Sequence, residues 1–129
     1  MEVLARLEIG QWWADRTTNE LGHAGKAVRI EPKAMEVLMA LAARAGEVVS
    51  RQELLATVWP GVVVGDEALT QSIIKLRRAL RDNPRSPSYI ETISKRGYRL
   101  IAPVRPGGRA AATRPSRRAP WILPAAGAA

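Results

Sequence analysis

The stretch Leu69-Thr70-Gln71-Ser72-Ile73-Ile74-Lys75-Leu76-Arg77-Arg78-Ala79-Leu80, followed after a short loop by Tyr89-Ile90-Glu91-Thr92-Ile93-Ser94-Lys95-Arg96-Gly97-Tyr98-Arg99-Leu100, decides how this chain reads. In its first half, Leu69, Ile73, Leu76 and Leu80 are spaced 4, 3 and 4 apart, the period of a buried helix face. At about 100° per residue, Gln71, Lys75 and Arg78 fall on the opposite, polar face. Asp66 stands where a cap is wanted, Glu67 suits the helix dipole, and Asn83-Pro84 ends the helix. The second half holds two β-prone runs, Tyr89 to Ile93 and Tyr98 to Ile101. Between them, Ser94-Lys95-Arg96-Gly97 reads as a basic hairpin tip, with glycine available for a positive φ.

Upstream lie two more helices. Pro32 suits a first helical turn, where its missing N–H is no loss. Ala34, Val37, Leu38, Leu41, Ala42 and Ala45 then repeat with helical period, and Gly46 is placed to end the helix. Ser50-Arg51-Gln52-Glu53 is a capping box, with Val49 and Leu54 spaced as a hydrophobic staple. That helix runs through Trp59 and stops at Pro60-Gly61, and Val62-Val63-Val64 forms an apolar loop before the third. The first 30 residues alternate in short β-prone runs, with a hairpin tip at His23-Ala24-Gly25-Lys26. Trp12, Trp13 and Trp59 suit packing roles, and His23 a surface turn. The expected class is α+β: an N-terminal antiparallel sheet, three helices and a C-terminal β-hairpin, a helix-turn-helix with a wing.

Charge places the candidate surface. The chain carries +8 overall, divided as −2 over residues 1–66, +5 over 67–104 and +5 over 105–129. A basic balance concentrated on one helix, its exit and one hairpin points to a polyanion. The chain has no Cys and one His, which excludes disulfides, thiolate chemistry and two-His metal motifs. No nucleophile–base pair, metal-ligand spacing or phosphate-cradling glycine loop is visible, so an enzyme is the least expected class and no cofactor is expected.

The Leu-Arg-Arg-Ala-Leu helix end paired with the Ile-Glu-Thr and Arg-Gly-Tyr-Arg hairpin resembles the winged-helix DNA-binding domain of OmpR/PhoB-type regulators, over about residues 3–104. The resemblance implies sequence-specific binding of double-stranded DNA for transcriptional regulation, third helix in the major groove and wing at the minor groove. Carried over by position, it implies base reading by Thr70, Gln71, Ile74 and Lys75. It implies phosphate contacts from Ser72, Arg77, Arg78 and Arg81, and wing contacts from Thr92, Ser94, Lys95, Arg96 and Arg99. Ser94 stands where many members carry an arginine, which shifts minor-groove contact to Lys95 or Arg96. Ile74 stands where a polar residue is usual, and suits a thymine methyl or packing beside the wing. In some members the loop between helices two and three touches RNA polymerase; here that loop is Pro60, Gly61, Val62, Val63 and Val64. The alternative function is a protein-interaction module docking RNA polymerase or another regulator, with DNA binding secondary. The resemblance also implies a dimer on tandem half-sites.

Residues 105–119 read as an Arg/Pro/Gly-rich linker, and 120–129 as an apolar tail that could start a transmembrane segment. The N-terminal placement of the winged helix resembles bacterial ToxR/CadC-like one-component regulators, which set this domain ahead of a membrane helix. The expectation is a cytoplasmic domain tethered to the inner membrane through sequence beyond residue 129.

Overall fold

A computed structural model describes residues 6–107. The apolar tail expected at 120–129 and most of the linker lie outside the described residues.

Four short strands open the chain: β1 (Arg6–Ile9), β2 (Trp12–Asp15), β3 (Glu20–His23) and β4 (Lys26–Arg29). Each pairs antiparallel with the next. The β3–β4 turn is the two-residue loop Ala24-Gly25, with φ of 53° and 80°. Two positive values in succession match the twist that a tight hairpin needs. Ile9, Ala14 and Leu21 turn inward and are fully buried. His23 is not the bare turn residue that its setting suggests: it ends β3 with its ring stacked on Trp12, centroids 5.0 Å apart. Trp13 lies over Gly22, where an added Cβ would sit 2.0 Å from the indole, and takes the Arg6 guanidinium on its ring at 4.3 Å.

Helix α1 (Pro32–Ala43) carries proline in its first turn and buries Ala34, Met35, Val37, Leu38, Leu41 and Ala42. It ends at Arg44, ahead of the expected Ala45. Strand β5 (Val48–Ser50) follows, and helix α2 (Arg51–Val58) begins at the capping box that the sequence spells out. The Glu53 amide donates to the Ser50 hydroxyl and the Ser50 amide to the Glu53 carboxylate, each at 3.0 Å. That second bond, with the Arg44 guanidinium 3.0 Å away, holds the Glu53 carboxyl below its ordinary value of 4.5. Trp59 caps α2 at its C-terminal end, half-buried against the core.

Helix α3 (Asp66–Leu80) is the longest element. Gly65, not Asp66, is its N-cap; Asp66 is the first helical residue and, with Glu67, still meets the positive end of the dipole. Leu69, Ile73, Leu76 and Leu80 are at most 2% exposed, as their spacing predicts. Burying a side chain of this size contributes about 1.5–3 kcal/mol. The helix stops before Asn83-Pro84, because Arg81 turns left-handed (φ 57°).

Strands β6 (Ile90–Ile93) and β7 (Gly97–Leu100) form the hairpin, and β5 joins it in a three-stranded sheet of order β5-β7-β6. The chain then returns to the first sheet as β8 (Val104–Pro106), pairing Ile9 with Val104 and Leu7 with Pro106. The first sheet thus has the order β4-β3-β2-β1-β8. This carries the folded domain past the boundary expected at 104, into residues read as linker. Proline hid the strand: Pro106 is tolerated because β8 is an edge. Residues from both sheets and all three helices share one core.

Candidate nucleic-acid interface

The exposed face of α3 presents Gln71, Ile74, Lys75 and Arg78, and Arg81 is exposed just beyond its end. Ile74 is 39% exposed, an apolar side chain among polar ones. At the hairpin tip Ser94, Lys95 and Arg96 are all exposed. The Arg96 amide donates to the Ile93 carbonyl at 2.9 Å, and Lys95, not Gly97, takes the left-handed turn position (φ 64°). Gly97 serves another purpose: a Cβ there would lie 2.1 Å from the Val49 carbonyl oxygen. It lets β7 pass close to β5.

Several residues expected at the interface are engaged within the protein. Ser72 is 7% exposed and faces inward, so a phosphate contact from it does not fit this conformation. Arg77 donates to the Ile90 carbonyl at 2.9 Å and to the Thr92 hydroxyl at 2.7 Å. The expected phosphate contact and the expected wing contact are therefore partners of each other, tying α3 to β6. Arg99 is bonded to Glu91, its cross-strand neighbour, with Nε at 3.0 Å from the carboxylate, so its charge is compensated beside the hairpin. Helical and strand periodicity shows which side chains turn outward; it does not show which partner meets a half-buried one.

Thr70 is half-buried and accepts a bond from Arg51 at 2.9 Å. Arg51 also donates to the Tyr98 hydroxyl at 2.7 Å and to the Asp66 carbonyl at 3.0 Å. It pins the first turn of α3 to β7. Sequence reading missed it, because its partners lie 15 to 47 positions away and locally it is one polar residue in a capping box. Asp82 was missed too. Its carboxylate accepts the amides of Ser88, Tyr89 and Ile90 at 2.7, 3.2 and 2.9 Å and shapes the connection from α3 to the hairpin.

The α3–hairpin tie gives a test. Arg77→Ala is expected to lower unfolding stability by about 2 kcal/mol without any DNA present, since two bonds from a charged, half-buried donor are lost. Urea denaturation measures this. A purely phosphate-binding arginine would leave the midpoint unmoved.

The loop between α2 and α3 stands out from the surface. Pro60 and Gly61 are exposed, Val62 is 57% exposed, Val63 is fully exposed and Val64 is half-buried. Among the described residues, no helix is long and apolar enough to cross a membrane.

Comparison with known proteins agrees with this geometry. The family model described as transcriptional regulatory protein, C terminal, matches residues 25–100. The transcriptional activator CadC of Escherichia coli is 39% identical over 99 residues, covering 76% of this chain and 19% of that protein. The cholera toxin transcriptional activator of Vibrio cholerae is 44% identical over 79 residues, covering 60% of this chain and 27% of the relative. The chain thus spans about a fifth to a quarter of the length of these relatives. Among solved structures, the DNA-binding domain of E. coli CadC superposes with a TM-score of 0.71 at 39% identity, covering 78% of this chain and 94% of that one. The Klebsiella pneumoniae RstA DNA-binding domain in complex with the RstA box gives 0.65 at 26% identity, covering 74% and 96%.

Proposed function

Since this chain belongs to the OmpR/PhoB-type family of transcriptional regulatory domains, a family of sequence-specific DNA-binding domains and not of enzymes, we propose that α3 enters the major groove and the hairpin tip reaches the adjacent minor groove. The observation that carries this is the shared exposure of the α3 face and the basic tip on two elements tied together by Arg77. Gln71, Ile74 and Lys75 are the base readers; Thr70, whose hydroxyl oxygen accepts from Arg51, keeps its O–H to donate. Arg78 and Arg81 hold phosphates, and Lys95 and Arg96 form the wing contact. Ser94 is beside them, in reach of a sugar or phosphate.

Salt dependence tests the docking. If about six phosphates are neutralised, log K falls with log salt at a slope near about −5. Replacing Lys95 and Arg96 together with alanine is expected to flatten that slope by about 2 and to weaken specific and random duplexes alike. Fluorescence anisotropy between 50 and 200 mM salt reads both effects. An affinity indifferent to salt, or a slope unchanged in the double variant, defeats this arrangement.

The exposed Val62-Val63 loop favours a second surface, for RNA polymerase or another regulator. On the module reading, that contact is primary and DNA secondary; retention of random duplex at low salt separates the two. Two copies on tandem half-sites, and a cytoplasmic domain tethered at the inner membrane by a longer parent chain, complete the proposal. The tether is supported by the Arg-rich sequence preceding Trp121-Ile122-Leu123. Fractionation of the full gene product with the membrane, or without it, decides that point.

A further inference from the structure

We propose that Glu31 is a specificity-determining residue, holding Lys75 against indiscriminate phosphate contact. The proposal rests on the reading that the exposed face of α3 lies against duplex DNA.

Glu31 occupies the N-cap position of α1 in an extended conformation, yet its side chain makes no capping bond. Its carboxylate instead reaches Lys75, with Oε1 2.9 Å from Nζ. Lys75 lies in the middle of α3, four residues after Gln71 and three before Arg78, on the same exposed face. The two side chains are 44% and 63% exposed. A pair so open to water adds little to folding.

Its effect falls on the polyanion. For Lys75 to bind a phosphate, it exchanges one anionic oxygen for another, and Glu31 is left close to the DNA backbone. The exchange gains little attraction and adds repulsion. A base edge is different. The guanine O6 and N7 atoms are neutral acceptors, and an ammonium has three donors. Lys75 can donate to the base while Glu31 keeps one donor and fixes the direction of the side chain. Glu31 thus weakens sequence-blind binding and spares a base contact.

The test is Glu31→Gln, which keeps the side-chain length and disturbs no capping bond. Affinity is measured by fluorescence anisotropy for a random-sequence duplex and for the tightest duplex selected from a random pool, from 50 to 200 mM salt. Random-duplex affinity is expected to rise about three- to fivefold, the range an exposed ion pair supports. Its salt slope is expected to steepen by about 0.9, one further phosphate neutralised. The selected duplex gains less, so the ratio between them falls. In a Lys75→Ala background, Glu31→Gln loses most of its effect. An unchanged ratio and slope, or an undiminished effect without Lys75, overturns the proposal while the wild-type protein still binds duplex. Failure of the wild type to bind any duplex overturns the reading beneath it.

Discussion

Asp82→Ala is expected to lower the free energy of unfolding by about 3–5 kcal/mol and the melting temperature by about 15 °C or more. The carboxylate lies where α3 ends, 9% exposed, and accepts three consecutive backbone amides. Removing it leaves those donors without a partner, and a buried unsatisfied donor costs about 1–3 kcal/mol. The Ile90 amide is in a buried setting and suffers most. Since Ile90 begins β6 and its carbonyl holds Arg77, the loss spreads from the connection into the hairpin. Urea denaturation followed by circular dichroism gives the stability. Asp82→Asn, which retains one acceptor oxygen, should fall between the two. A change below about 1 kcal/mol in Asp82→Ala would mean that the connection holds its shape unaided.

The second large effect is expected at the base of the wing. Gly97→Ala places a Cβ 2.1 Å from the Val49 carbonyl oxygen and 2.8 Å from the Ser50 Cα. Both obstacles are backbone, so no side-chain rotation relieves them, and β5 must move away from β7. Overpacking a tight site costs about 1–3 kcal/mol when side chains can adjust, and here they cannot. A loss of about 3 kcal/mol or more is expected. Amide exchange should show faster opening of the β5–β7 ladder than of the first sheet. A loss of duplex binding larger than the unfolded fraction explains would follow from the misplaced tip. Unchanged exchange in β5 would contradict the close-approach account.

Much of this was legible beforehand. The stripe Leu69, Ile73, Leu76 and Leu80 and the box Ser50–Glu53 are local patterns, and local periodicity and capping chemistry act the same in any fold. The hairpin was legible because two β-prone runs flank a polar tip containing glycine. β5 was not, since its three residues are too few to show a period and the last of them, Ser50, opens the capping box. β8 was not, since Pro103 precedes it, Pro106 ends it, and its partner β1 lies at the opposite end of the chain.

The site divides the same way. Exposure of Gln71, Ile74, Lys75 and Arg78 followed from their position around the helix, and that of Lys95 and Arg96 from their place at a hairpin tip. Which partners the other polar residues meet there did not. It is the family resemblance that assigns DNA contacts to Arg77, Thr92, Arg99, Thr70 and Ser72. In the fold, Arg77 donates to the Ile90 carbonyl and the Thr92 hydroxyl, Arg99 to Glu91, Thr70 accepts from Arg51, and Ser72 is buried.

By itself, then, the sequence determined the order of the three helices and the hairpin, the buried face of each helix, the basic surface and the kind of partner that surface suits. These depend on residue type and on spacings of one to four positions. The tertiary structure alone decided which charges remain free for DNA, because an arginine or lysine takes whichever oxygen the fold brings within reach. For Lys75 that oxygen is on Glu31, 44 positions away, and for Arg51 it is on Tyr98, 47 positions away.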